Sequence, residues 1–222
     1  PPRSTLFPYT TLFRSRFGKI KDYTDMFHEF GHFVNAFYTQ SDLIFGAPDN
    51  DLAELQSQGM EMMFACFFDD IFGSEYGDAV RDDELLNLVY SVVDGAMYDE
   101  FQRRCYEEES LTGERACQIY SEVYREYGYQ PHDGYEYEWI NVAHNFEHPF
   151  YYISYAVSAL SALELYGQLQ TDWESAADRY MTVSAMDCEA YYFSEALKEA
   201  GLSDVFDPQV CAAAAAQLEK GF

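Results

Sequence analysis

The stretch HEFGH, His28 to His32, carries the most specific chemistry in the sequence. On a helix, positions i and i+4 share one face, so His28 and His32 can direct their imidazoles at one metal ion, with Glu29 beside a water at the open position. That is the geometry of a zinc hydrolase. Two histidines need a third ligand, and Glu54, within DLAELQSQ (Asp51 to Gln58), is the nearest carboxylate whose flanking residues look like more than surface. A plainer account makes Asp51 a helix cap and Glu54 the residue reaching back to it from the third helical position.

The chemistry follows from the ligand types. Zinc with a fourth position open lowers the pKa of bound water to roughly 7 and polarises a scissile carbonyl. Glu29 would take the proton and pass it to the leaving amine. Asp51 and Glu61 are the carboxylates near enough in sequence to orient the ligating imidazoles.

HEFGH followed by DxxExxSQxxE, here Asp51, Glu54, Ser57, Gln58 and Glu61, resembles the thimet oligopeptidase and oligoendopeptidase F family of zinc metallopeptidases. A third segment, HNFEHPFYYISYA, His144 to Ala156, is similar to that family's late His and Tyr motif. The resemblance covers Arg16 to the end. It implies a mostly α-helical, zincin-type catalytic domain that holds one zinc ion per chain through His28, His32 and Glu54, with Glu29 as catalytic base. It further implies an endopeptidase acting on short peptides in a deep cleft that excludes folded proteins. His144, Tyr152 and Tyr155 align with the family's transition-state donors, and gap placement leaves His148 and Tyr151 open as alternatives to the first two. Asn35 departs from the pattern, since some members have a further histidine there; no ligand is expected at that position.

The elements that must position these groups are helical. Met26, Phe27, Phe30, Phe33, Val34 and Phe37 recur at helical spacing between Tyr23 and Tyr38, so the metal helix is apolar over much of its circumference and is expected to be central. Gly31 costs that helix roughly 1 kcal/mol of propensity relative to Ala, which a close approach by a neighbouring segment would explain. A loop from Thr39 to Asn50, with Gly46 and Pro48, leads to a second apolar helix from Asp51 to Phe68. Asp82 to Glu108 reads as a long structural helix with Leu85, Leu88, Val89, Val92, Val93 and Ala96 on its buried side. A helix from about Thr112 to Tyr127 follows, then a loop from Gly128 to Glu138 and an apolar helix after Pro149. His144 and His148 have the spacing of a metal pair, but the residue before a proline is pushed out of the α region, so no second metal site is expected. Thr171 with Glu174 reads as a capping box, Gly201 as a helix stop and Pro208 as the first turn of a last helix.

Residues Pro1 to Ser15, PPRSTLFPYTTLFRS, are unlike anything that follows, and one back-translation of them reproduces a sequencing-library adapter. They are expected to be a cloning or assembly artefact, with the natural frame entering at about Arg16. The resemblance then implies the C-terminal part of a longer enzyme, whose missing N-terminal lobe would supply one wall of the cleft.

The chain's 48% hydrophobic residues suffice for a core, and no run approaches the length of a membrane span. A formal net charge of −26 argues against nucleic-acid or anionic-membrane partners. Five cysteines without CxxC spacing point to reduced thiols and a cytoplasmic setting. Two rivals stand beside the peptidase reading: a helical domain that binds zinc or peptide without turnover, and another HExxH peptidase with a different oxyanion donor.

Overall fold

The computed structural model describes residues 19–39 and 49–218. The expected artefact and most of the loop between Thr39 and Asn50, Gly46 and Pro48 included, lie outside the described residues. Among the described residues the chain forms α-helices, one 3₁₀ turn and no strand. The helices are α1 (Ile20–Thr39), α2 (Asn50–Ala65), α3 (Phe68–Phe72), α4 (Gly77–Glu107), α5 (Gly113–Glu126), α6 (His144–Glu147), α7 (Tyr152–Leu169), α8 (Trp173–Ser184), α9 (Phe193–Ala200) and α10 (Pro208–Leu218).

Helix α7 is the hub, packing against α2 on one side and α4 on the other, with α8 and α10 also against it. Its small residues make this possible. Ala156, Ser158, Ala159, Ser161 and Ala162 are all buried, and the Ser158 hydroxyl lies 2.7 Å from Gln58 Oε1, joining α7 to α2 through a polar contact inside the core. Around this contact lies one apolar cluster that includes Leu52, Leu55, Met62, Leu165 and Tyr180. A second cluster, rich in tyrosine, joins the C-terminal half of α4 to α5 and the 3₁₀ turn Tyr135–Asn141 through Tyr98, Phe101, Tyr120, Tyr124 and Tyr135.

Several boundaries differ from the sequence reading. Helix α4 begins at Gly77 rather than Asp82, because Val80 is buried and Arg81 donates to Ala65 O at 3.1 Å, so its first turns have their own anchors. Its buried face runs through Leu85, Leu88, Gly95, Met97 and Tyr98, leaving Val89, Val92, Val93 and Ala96 only partly covered. The cap of α2 is Asp49, which accepts from Leu52 N, and not Asp51. The cap of α8 is Asp172, accepting from Ser175 N, because the Thr171 hydroxyl turns back to Gln168 O at the end of α7. Gly201 does stop α9 with φ 71°, and Pro208 opens α10.

Helix α1 is the largest departure. It lies on α2, but only Thr24, Phe27 and Gly31 are buried, while Phe33 is 60% and Phe37 67% exposed. Phe30, Phe33 and Phe37 form a row of rings on the outer side, with neighbouring centroids 5.8 and 6.5 Å apart. Its apolar circumference therefore does not make it central among the described residues. Asn35, the departure from the family pattern, ties α1 down by donating to Ser184 O at 3.0 Å and Met186 O at 2.7 Å.

Candidate metal centre

Gly31 brings together the two helices that carry the candidate ligands. A Cβ built there would lie 2.6 Å from Ser57 Cα and closer still to the Gln56 carbonyl oxygen, so the backbone of α1 touches that of α2 where any side chain would intervene. The close approach expected at this glycine is made by α2. Beside this contact the side chains meet. His28 and His32, one turn apart on α1, have ring centroids 5.0 Å apart, and Glu54 enters from α2. One ligand atom from each of the three lies within 4.8 Å of the others.

Glu54 is 3% exposed. Its Oε1 accepts from the Tyr151 hydroxyl, and its buried Oε2 has no hydrogen-bond partner among the described residues and lies 3.5 Å from His28 Nε2. A buried carboxylate oxygen without a hydrogen bond costs free energy unless a positive group stands by it, and among the described residues His28 is that group. The donor set of two nitrogens and one oxygen fits a divalent cation of the zinc type. Among the described residues this is the one His, Cys, Asp and Glu group that could hold a metal ion.

Glu61 orients the first ligand. His28 Nδ1 donates to Glu61 Oε1 at 2.5 Å, which leaves Nε2 directed at the site. Burial pulls the His28 pKa down, but the Glu61 hydrogen bond and charge, with Glu54 and Glu29 adding, outweigh it and carry it to about 9. His32 has no such partner among the described residues, and burial with repulsion from His28 lowers it to about 3, keeping it neutral. Asp51, the other carboxylate offered for this role, lies near Ser154 of α7, which opposes the rise that burial gives its carboxyl.

Glu29 and Tyr155 open onto a cavity of about 520 Å³ that His28, Gln58 and Glu61 also line. Burial raises the Glu29 carboxyl, with His28 opposing, which moves it toward the range useful for a proton acceptor that must also give the proton back. The opposite wall was not expected. Helix α4, read as structural, contributes Asp83, Glu84, Asn87 and Ser91 to the same cavity. Polar residues at helical spacing on an otherwise apolar face were the available signal. Glu84 is buried, and desolvation followed by repulsion from Glu61 raises it to about 7.

The late motif divides. His144 stacks on Tyr151 with ring centroids 4.9 Å apart and lies within 6.0 Å of Tyr155, whereas His148 is exposed at the end of α6 in a non-helical conformation, φ −140° and ψ 72°. Its ring still lies 6.4 Å from that of His144, and no candidate metal group among the described residues includes the two. Tyr151 reaches Glu54, while the ring of Tyr152 packs edge-on against Tyr98, 4.8 Å away, in the tyrosine-rich cluster. Of the two adjacent tyrosines, the fold turns Tyr151 to the ligand set and Tyr152 to the core.

A family model described as peptidase family M3 matches residues 17–183, spanning all three motifs. The chain belongs to peptidase family M3. Its helical architecture is that of the M3 catalytic domain. A solved chain assigned as oligoendopeptidase F superposes with a TM-score of 0.83 at 24% identity, over 93% of this chain and 38% of that one. A PZ peptidase A solved with an inhibitor gives 0.82 at 21% identity, over 91% and 37%. A further chain assigned as oligoendopeptidase F, from Bacillus anthracis, gives 0.75 at 20%, over 91% and 34%. This M3 chain therefore spans between a third and two fifths of those proteins. No curated protein sequence matches it significantly.

Proposed function

We propose that this M3 chain is the metal-binding catalytic part of a zinc-dependent oligoendopeptidase that hydrolyses short peptides. The observation that carries the reading is the convergence of His28, His32 and the orphaned Oε2 of buried Glu54 beside a cavity lined by Glu29. Zinc held by these three residues would supply Lewis-acid polarisation of the scissile carbonyl and an acidified water. Glu61 holds the proton of His28 Nδ1, so that Nε2 is free to bind. Glu29 accepts the proton of the attacking water and returns it to the amine that leaves. Tyr155, at the cavity, and His144, close by, are the candidates to donate to the developing oxyanion, with Tyr151 nearer to hand than Tyr152. Placement of Tyr152 against Tyr98 supports a packing role for it.

The cleft needs more than this chain. We infer that an N-terminal lobe of the same enzyme covers the aromatic row Phe30, Phe33 and Phe37, because a contiguous exposed apolar face marks a surface that is normally buried. That face favours a second reading of the isolated chain, zinc binding with weak or no specific turnover. No described helix is long and apolar enough to cross a membrane, and all five cysteines are free thiols; the cytoplasmic setting stays an inference from cysteine usage.

Metal analysis of the purified chain beside Glu54→Ala tests the site. One zinc per chain, absent from the variant, is expected. A folded wild-type chain that takes up no zinc would remove the reading. In an enzyme completed by its N-terminal lobe, Glu29→Gln should keep the zinc and lose peptide hydrolysis; hydrolysis at the wild-type rate would remove Glu29 from its role.

A further inference from the structure

Phe150 is the one non-glycine residue with positive φ among the described residues, at 63°. A bulky L-residue holds that conformation only when its surroundings impose it. What imposes it here is α4. The Phe150 amide donates to Gln102 Oε1 at 2.7 Å, and its ring packs on Tyr106 with centroids 5.2 Å apart.

Gln102 is 3% exposed and its Nε2 has no hydrogen-bond partner among the described residues. Burying an amide with half its capacity unused is costlier than burying a leucine, so packing alone does not account for the glutamine. The bond to Phe150 is what it contributes. The same stripe of α4 continues the grip. Tyr98 holds Tyr152, and at Gly95 a Cβ would lie 2.8 Å from Tyr152 O and 2.7 Å from Ala156 Cβ, so the start of α7 lies directly on α4.

The residue after Phe150 is Tyr151, whose hydroxyl donates to Glu54 and whose ring carries His144. Returning Phe150 to negative φ would redirect the chain at Tyr151. We propose that Gln102 is a positioning residue for the metal centre: by accepting the Phe150 amide hydrogen it holds that residue left-handed and so seats the Tyr151 hydroxyl on Glu54. The proposal rests on the reading of Glu54 as a metal ligand.

The test uses the whole chain and zinc itself. Zinc affinity is measured by chelator competition, and the visible spectrum of the cobalt(II)-substituted chain reports ligand geometry. Loss of zinc in Glu54→Ala establishes the metal reading independently; a chain that binds none overturns that reading, and this proposal with it. Given that binding, Gln102→Leu is expected to weaken zinc about 10-fold, the low end of outer-shell effects, and to change the cobalt spectrum. Phe150→Gly alone should keep the wild-type affinity. Added to Gln102→Leu it should restore affinity and spectrum, because glycine adopts positive φ without a clamp. Wild-type affinity and spectrum in Gln102→Leu would overturn the proposal, as would a double variant that binds no better than Gln102→Leu. If Gln102→Leu does not fold, Gln102→Asn, one methylene too short to reach the amide, is read in the same way.

Discussion

On the α1–α2 side of the site, His28, His32 and Glu54 are placed by helical period and by one glycine contact, while on the α4–α7 side Tyr151 depends on a left-handed turn held from a distant helix. The first side can be built almost entirely from local rules. The second cannot, because nothing near Tyr151 in sequence decides whether it or Tyr152 faces the metal position. The two sides also differ in charge. The α1–α2 side balances Glu54 and Glu61 against His28, whereas the α4 wall adds Glu84, with Lys21 the cation among the groups acting on it.

The sharpest way to break the comparison is at Gly31. If the α1–α2 contact sets the ligand geometry, Gly31→Ala must push the two backbones apart. A loss of about 1–3 kcal/mol in denaturant unfolding, together with weakened zinc binding, is the expected result of such overpacking. Unchanged stability and affinity would mean that the helices are held by something other than this contact.

Next in size is the choice between the two carboxylates that the sequence offered as orienting groups. Glu61→Ala should weaken zinc about 10- to 100-fold, as losses of outer-shell partners do. Asp51→Ala should leave the affinity as it was, because Asp51 lies near Ser154 of α7 while Glu61 takes the His28 bond. Equal effects from the two, read by chelator competition, would erase the distinction between them.

The last effect lies on the α4 wall and depends on pH. Burial and then Glu61 raise the Glu84 carboxyl from 4.5 to about 7, with Asp83 adding to this and Thr24 and Lys21 opposing. Between those values the folded state binds more protons than the unfolded state, so the stability linked to Glu84 is complete below about pH 4.5 and is lost as pH rises through about 7. Glu84→Gln should therefore be more stable than wild type at pH 8, by about 1–3 kcal/mol at most, and should lose that advantage near pH 4.5. Thermal melts at the two pH values measure it. An advantage that is the same at both would show that Glu84 does not titrate in this range.

Much of the fold and half of the site could be read without coordinates. Helical spacing placed α1, α2, α5 and α7 near their observed ranges, and HEFGH with Glu54 named a ligand set whose members do converge. Capping was less legible. Asp49 and Asp172 displaced the expected Asp51 and Thr171, because several Ser, Thr and Asp residues at each helix start compete for the same free amides. The exposure of α1 was misread for a different reason. A helix apolar on every side reports how much surface will be covered, but not by which part of the protein.

The sequence by itself named the three candidate ligands, since two histidines one helical turn apart share a face and DxxExxSQxxE singled out Glu54 beside them. It also pointed to a close neighbour for Gly31. Only the tertiary structure decided which carboxylate orients His28, which tyrosine meets Glu54, and that Glu84 of α4 shares the cavity with Glu29. These are contacts between residues far apart in the chain. Their register is set by how α2, α4 and α7 pack side by side, a result of the whole core that no local spacing encodes.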